Sequence, residues 1–393
     1  MFFRRSAILA AGLALAACTP TGSTGTGTCQ VRGDIGVFRP GAATFAFAGD
    51  VLPHRLIQSD AAARADHFTP SLAPMAPFLR RADVAVVNLE APTARNVLPG
   101  GRDGADPGTR FDDRIYAGYP QFNAHPTLVS ALAELGVDVV QTANNHALDR
   151  GPLGVDRTLE AVATAGIRAT GTVPRGQSGP WHTTVNVAMS GGRARVALLA
   201  CTYSVNGLPD PARQALRCYG NAPSVPSLIA TLLAEPGIDA VILLPHWGVE
   251  YSATPDARQR NLARAAIEAG AAAVVGAHPH VLQPIEQVTA RDGRVGYVAY
   301  SLGNFISSQW ALPRRTGAVL YLDLRRDAQG RVVAAPPRAL PTRVERYQGS
   351  GVTVVPAAFS ANGAASIAHA GRILGQGNLI TPADLGRSVS GCD

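Results

Sequence analysis

Short apolar runs recur along this chain, and each stops at a small cluster of polar residues. Residues 44–48 run into Gly49-Asp50, 84–87 into Asn88-Leu89-Glu90, and 137–140 towards Asn144-Asn145-His146. Further on, 196–200 forms another run, 240–244 leads to His246, 273–275 to His278, and 296–300 to Ser301-Leu302-Gly303-Asn304. Runs this short predict buried strands with functional loops at their ends. Between them, 126–135, 154–165 and 255–269 are rich in Ala, Leu and Arg, with apolar residues at helical spacing, which predicts helices. The last opens on Thr254-Pro255-Asp256: Thr caps, Pro suits the first helical position, and Asp favours the positive end of the helix dipole. Strand and helix in alternation predict an α/β fold whose chemistry gathers at the strand ends. The Gly- and Asp-rich stretch 100–108 reads as a mobile surface insertion. Beyond 336 the pattern weakens, and 336–393 is expected to be a C-terminal extension.

The N-terminus carries a different signal. Arg4 and Arg5 precede an apolar run over 7–17, a signal-peptide pattern too short to span a membrane and stay there. Leu15-Ala16-Ala17-Cys18 resembles the lipobox of bacterial lipoproteins. That resemblance makes 1–17 a cleaved signal peptide and Cys18 the lipidated first residue. It implies a bacterial cell-envelope location, exported and lipid-anchored, facing the periplasm or at the cell surface; an ordinary cleavage site with an incidental cysteine is the alternative. The Arg pair also hints at twin-arginine export. From 19 to 33 the chain is mostly Gly, Thr and Ser, which cannot bury a core, so 18–36 is expected to be a flexible tether. Residues 37–335 show no internal repeat and no second linker, and read as one large domain.

Charge adds little. The formal net charge is +7, or +5 once Arg4 and Arg5 are removed (7 − 2), and every one of the 35 basic residues is Arg. Abundant Ala, Gly and Pro make this a bias of composition, although Arg also suits carboxylate or phosphate recognition. No basic block or aromatic-basic stripe occurs, so no nucleic-acid partner is expected. With Cys18 lipidated, Cys29, Cys201, Cys218 and Cys392 remain, an even number in a compartment that permits disulfides. Of the three possible pairings, Cys201–Cys218 with Cys29–Cys392 is favoured. No C-x-x-C pair exists to suggest a cysteine metal site.

The strand-end residues carry the chemistry. A dinuclear hydrolytic site needs oxygen ligands, neutral imidazoles and one bridging ligand that holds two ions about 3.5–4 Å apart. Asp50, Glu90, Asn145, His246, His278 and His280 are of the right types, each beyond an apolar run. In His278-Pro279-His280, residues i and i+2 of an extended segment would point the same way, with Pro stiffening the backbone. Singly, each of these residues is as readily a cap, a turn former or a surface histidine; Asn144-Asn145-His146 is also a plausible capping turn.

Taken in order, Gly49-Asp50-Val51, Asn88-Leu89-Glu90, Asn144-Asn145-His146 with Asp149 and Gly151, His246-Trp247-Gly248-Val249-Glu250-Tyr251, Gly276-Ala277-His278-Pro279-His280 and Ser301-Leu302-Gly303-Asn304-Phe305 resemble the CapA family of capsule and poly-gamma-glutamate synthesis proteins. The resemblance runs from about 44 to about 308. That family is related to calcineurin-like metallophosphatases, which implies a four-layer αββα sandwich. It also implies two divalent metal ions, Mn, Fe or Zn, with Asp50 and His280 on the first, Glu90 bridging, and Asn145, His246 and His278 on the second. His146 stands where metallophosphatases place a leaving-group acid.

Two departures stand out. Leu52 occupies the second position of the usual Asp-x-His pair, so the first metal lacks an imidazole unless His54 reaches back or water fills the gap. Glu90 replaces an Asp, a longer arm that would shift the metal spacing. Asp149 is expected to support the Asn144–His146 turn or an imidazole, and Glu250 to support His246 or meet the substrate. Trp247 and Tyr251 line the pocket or simply pack, and Asn304 is a turn former or a pocket wall. The resemblance thus implies an extracytoplasmic metal-dependent hydrolase of an amide or phosphoester bond. It would act on an anionic polymer such as poly-gamma-glutamate, alongside capsule-synthesis membrane proteins. The rival is a non-catalytic lipoprotein that binds capsule polymer or scaffolds its export, a reading that Leu52 favours.

Overall fold

The computed structural model describes residues 39–220, 222–346, 351–381 and 384–385. The signal segment, the tether, Cys18 and the Cys29–Cys392 pairing lie outside the described residues. The architecture is two sheets, face to face, with helices outside each. The larger sheet has nine strands, in the order Val352–Pro356, Arg338–Arg346, Thr316–Arg326, Ala43–Val51, Val84–Leu89, Val139–Gln141 and Arg168–Thr170, with Asn304–Ile306 paired to Ala43–Val51 and Val332–Ala334 to Thr316–Arg326. The smaller has six, in the order Ile285–Thr289, Val295–Ala299, Ala273–Val275, Ala240–His246, Gly192–Thr202 and His182–Met189.

The apolar runs are continuous because both faces of their strands are covered. In Ala43–Val51 the alternation of side chains sends Phe45 and Phe47 inward, to meet Val196, Leu198, Ile242 and Leu244 of the opposing sheet. Ala46, Ala48 and Val51 go outward, onto Ile57 and Ala61 of helix Arg55–Ala62 and Leu128 and Leu132 of helix Thr127–Leu135. The outer face of the small sheet is covered by Ile229 and Leu232 of helix Val225–Ala234 and by Leu262, Ala263, Ala266 and Ile267 of helix Ala257–Glu268. Helix, sheet, sheet, helix is the four-layer arrangement that the resemblance implies.

The central strands, Ala43–Val51, Val84–Leu89, Val139–Gln141 and Arg168–Thr170, run parallel. So do Gly192–Thr202, Ala240–His246 and Ala273–Val275 in the other sheet. Parallel strands deliver their C-terminal loops to one end, and that end carries the site. Cys201 and Cys218 are disulfide-bonded, fastening the end of Gly192–Thr202 to the segment whose Arg217 bridges Thr202.

Three expectations change. The helix expected from Pro255 starts at Ala257 with Asp256 as its cap: Asp256 Oδ1 accepts from the Gln259 amide at 2.8 Å and Gln259 Oε1 from the Asp256 amide at 3.0 Å. This reciprocal pair satisfies two orphan donors, which Thr254 cannot match. Part of the 100–108 insertion is a small hairpin, Val97–Leu98 with Arg102–Asp103. The boundary at 335 falls inside the sheet: Arg338–Arg346 pairs with Thr316–Arg326, Val352–Pro356 pairs with Arg338–Arg346, and helix Gly363–Leu374 buries Ala370 and Leu374 in the inter-sheet core. Pro337 and Pro341 broke the apolar pattern, yet Pro341 sits opposite Ala318 within the ladder.

A chain ending at Ala335 is therefore expected to lose cooperative thermal unfolding, because it uncovers Val319, Leu320 and Tyr321. Circular dichroism of the truncated protein checks this, and a sharp melt close to that of the full chain would contradict it.

Candidate metal centre

Asp50 owes its position to a distortion in the first strand. The pairing register slips between Ala48 and Asp50 against Val84–Leu89, and between Asp50 and Val51 against Asn304–Ile306. Such a bulge re-aims a side chain at a strand end. It also presses two turns together: a Cβ on Gly49 would stand 1.8 Å from the Gly303 carbonyl oxygen, the oxygen that accepts from the Asp50 amide at 3.0 Å. Only glycine fits there. Glu90 follows Val84–Leu89, Asn144-Asn145-His146 follow Val139–Gln141, His246 ends its strand, and His278 and His280 follow Ala273–Val275.

These loops meet in overlapping groups of ligand atoms, two of which share Glu90. The ligand atoms of Asp50, Glu90 and His280 lie within 4.8 Å of one another, as do those of Glu90, His246 and His278. Glu90 belongs to both. His280 Nδ1 is 3.0 Å from Asp50 Oδ2 and its Nε2 3.7 Å from Glu90 Oε1. His246 Nε2 is 3.4 Å from the same Glu90 oxygen and 2.8 Å from Asn145 Oδ1. All six expected ligands are buried.

The two histidines around Pro279 do not behave as i, i+2 of an extended segment. His278 has φ +101° and His280 φ +58°, so the backbone turns in the left-handed region; His278 joins the group of His246 and His280 that of Asp50, with ring centroids 5.7 Å apart. Residues held in such conformations concentrate at functional sites. Tyr203 flanks the second group, its ring centroid 4.6 Å from that of His278.

Residues 44–309 match the family described as Bacterial capsule synthesis protein PGA_cap. The chain belongs to this family. It is 31% identical over 217 residues to the PGA biosynthesis protein CapA of Bacillus subtilis (strain 168), covering 53% of this chain and 52% of that protein. It is 30% identical over 204 residues to the capsule biosynthesis protein CapA of Bacillus anthracis, covering 51% and 47%. The chain thus spans about half the length of the curated relatives it matches. Among solved structures it is similar to the NAD nucleotidase of Haemophilus influenzae, at 10% identity and a TM-score of 0.46 over 86% of this chain and 63% of that one.

The donor set fits divalent cations. Burial pushes His246 down to about 3, against some help from Asp50, and holds His278 well below its ordinary value, so both imidazoles are neutral ligand types. Burial, with Asp50 alongside, pushes the Glu90 carboxyl well up. Burial also raises Asp50, but the hydrogen bond and charge of His280 outweigh it and leave Asp50 below its ordinary value. Glu90 Oε1 and His278 Nδ1 are buried with no hydrogen-bond partner. A buried carboxylate oxygen without a partner is costly, and a divalent ion between carboxylate oxygen and neutral imidazole nitrogen removes that cost.

The supporting residues are placed as follows. His146 Nδ1 lies 2.7 Å from Asp149 Oδ2, which also accepts from the Phe122 amide at 2.7 Å; Asp149 thus supports His146. Glu250 groups with His278 and His280, so it faces that pair. His54 is in neither ligand group: its Nδ1 takes the Ser308 amide at 3.3 Å and its ring packs edge-on to Phe122. Burial draws His54 down to about 4. Leu52 packs on Ala91 and Phe122, an apolar wall where the usual imidazole would be. Trp247 is fully buried, its indole N–H donating to the Tyr300 carbonyl at 2.9 Å, and so packs; Tyr251 stands at the rim. Asn304 is neither turn nor wall: its amide donates to the Arg314 carbonyl at 2.8 Å and to Gln309 Oε1 at 3.1 Å, while Gly303 makes the turn with φ +66°.

Two residues escaped the sequence reading. Asn88 was visible only as part of a motif, yet its Nδ2 donates to Asp50 Oδ1 at 2.8 Å and to Glu90 Oε2 at 3.3 Å, and sits 3.2 Å from His246 Nδ1. Asn144 Nδ2 in turn donates to Asn88 Oδ1 at 3.3 Å and to the Leu89 carbonyl at 2.7 Å. Arg150 is wholly buried, and its guanidinium donates to the carbonyls of Gln121 and Asp149, both at 3.1 Å. That ties the Phe122 loop to the His146 turn. A single buried Arg carries no sequence signal.

Asn88→Ala is expected to weaken divalent-metal affinity about 10–100-fold, the usual range for a residue that orients ligands; unchanged affinity by titration calorimetry would contradict its tethering role. The metal-free protein gives a second test through pH. His246, lowered in the fold, contributes fully above about pH 6.5, and that contribution is lost as pH falls towards about 3. Glu90, raised, acts in the opposite sense, costing stability as pH climbs above its unfolded value of 4.5. Glu90→Gln is therefore expected to stabilise the metal-free protein by roughly 1–3 kcal/mol near neutral pH and to change little near about pH 4. Denaturant melts check it, and destabilisation at neutral pH would contradict it.

Proposed function

We propose that this chain is a divalent-metal-dependent hydrolase of the bacterial cell envelope that cleaves amide bonds of an anionic polymer of the poly-gamma-glutamate type. The observation that carries the reading is Glu90, one buried carboxylate common to both ligand groups, with an oxygen left unpartnered. Asp50, Glu90 and His280 would hold one ion; Glu90, Asn145, His246 and His278 would hold the other, with Mn, Fe or Zn suiting the donors. Bound there, the ions supply Lewis-acid polarisation of the scissile group and activation of water.

The chain's own residues do the remaining work. A cavity of about 370 Å³ beside the ligands is lined by Tyr119, Gln121, Asn145, His146, Asn206 and Glu250, among others, and would receive the chain to be cut. Asp149 holds the His146 ring through Nδ1, which leaves Nε2 for the cavity that His146 lines. A proton held at that Nε2 is the one the leaving amine requires. Phe122, edge-on to His146 at 4.7 Å between centroids, closes one side against water. Membership of a capsule-synthesis family and similarity to the PGA biosynthesis protein of Bacillus subtilis support capsule polymer as the substrate. Anchoring through Cys18 would keep the enzyme beside the membrane proteins that make or export that polymer.

Metal-loaded protein is expected to hold two equivalents of divalent ion, to lose them in the His278→Ala, His280→Ala double variant, and to cleave gamma-linked oligoglutamates in preference to aryl phosphates. His146→Ala is expected to lower kcat by about 10²–10⁴-fold while leaving metal content unchanged. Polymer binding without turnover of either substrate would overturn the hydrolase reading in favour of a capsule-binding scaffold.

A further inference from the structure

We infer that Arg314, braced on the face of Tyr251, is the group that recognises a substrate carboxylate at the mouth of this site. The inference rests on the reading that the site takes an anionic polymer, and adds which residue selects it. The short helix Leu312–Arg315 presents two consecutive arginines with opposite fates. Arg315 is satisfied, its guanidinium donating to the Val344 carbonyl at 2.7 Å and to Glu345 Oε2 at 2.5 Å. The Arg314 guanidinium makes no ion pair and has no hydrogen-bond acceptor among the described residues; instead its carbon lies 3.7 Å from the centroid of the Tyr251 ring. A guanidinium stacked on an aromatic face is held in orientation while its N–H fork stays free, the geometry suited to a planar carboxylate.

The brace is fixed to the metal centre at three points. The Tyr251 amide donates to the Pro279 carbonyl at 2.7 Å, inside the turn that carries His278 and His280. Its ring centroid stands 6.0 Å from that of His280. Gln309 Nε2 donates to the Tyr251 hydroxyl at 3.3 Å, while Asn304 Nδ2 donates both to Gln309 Oε1 and to the Arg314 carbonyl. Tyr251 holds φ +66° to meet these contacts, a conformation a bulky residue rarely adopts. Tyr251, Tyr119 and Val249 are three of the four exposed large apolar side chains among the described residues; Tyr251 and Val249 flank Glu250, and Tyr119 lines the same cavity as Glu250. A lip of exposed apolar side chains with one oriented cation that makes no ion pair among the described residues suits a chain of methylenes bearing regularly spaced carboxylates.

The test compares metal-loaded wild type with Arg314→Gln, Arg314→Lys and Tyr251→Leu, using a gamma-linked oligoglutamate and its counterpart in which every free carboxyl is a primary amide. Wild type is expected to bind the acid at least about 10-fold more tightly than the amide, the range of a charge-assisted hydrogen bond. Arg314→Gln should abolish that preference with affinity for the amide and the melting temperature unchanged. Arg314→Lys should restore part of it, and Tyr251→Leu should reduce it. In turnover the loss should fall on KM and spare kcat. Arg314→Gln that keeps the full preference for the acid overturns the inference. A chain that is not a hydrolase would show no turnover in any variant while the binding preference still tracked Arg314, so the two failures are distinguishable.

Discussion

Glu90 and Asp50 place two carboxylates inside the protein with no exposed surface, and the neighbouring elements are arranged around that electrostatic load. Neither carboxylate is paired with a lysine or arginine among the described residues. Their partners are the Asn88 amide and the imidazoles of His246 and His280. In a low-dielectric interior such an arrangement is stable with a proton or a cation on it and strained without either. The centre is therefore suited to a cation held among these side chains.

Two sheets are needed to build it. The large sheet contributes Asp50, Glu90 and the Asn144–His146 turn, the small sheet His246 and the His278–His280 turn, so face-to-face packing across Phe45, Phe47, Leu198 and Ile242 fixes the distance between the halves of the site. Within that frame the backbone does unusual things where donors must converge: the bulge at Asp50, the contact of Gly49 with Gly303, and left-handed His278, His280 and Tyr251. Strain of this kind survives only where the surroundings over-determine it. Asp149 holds the His146 ring, and Arg150 ties that turn to the Phe122 loop.

Much of this was legible from the sequence because buried parallel strands leave an unmistakable trace: an apolar run, then an abrupt polar residue. That trace located the strands that deliver Asp50, Glu90, Asn145, His246 and His278, and the α/β layering with them. It failed where the physics is not periodic. Asn88 is an amide whose importance lies in which four groups it touches, and Arg150 is a charge buried among carbonyls; neither has a pattern. The strands at 338–346 and 352–356 were hidden by Pro337, by Pro341 and by their short length. The turn at Pro279 was misjudged because nothing in His278-Pro279-His280 announces left-handed histidines. Tyr251 and Arg314 are 63 positions apart in the chain (314 − 251), and only the fold stacks one on the other.

The central claim is that a single carboxylate, Glu90, joins two cation positions. Electron paramagnetic resonance of the protein loaded with Mn(II) tests it most directly. Two ions sharing Glu90 are expected to give an exchange-coupled spectrum that collapses to an isolated-ion signal in Glu90→Gln. A wild-type spectrum of isolated ions at every loading ratio would contradict the claim.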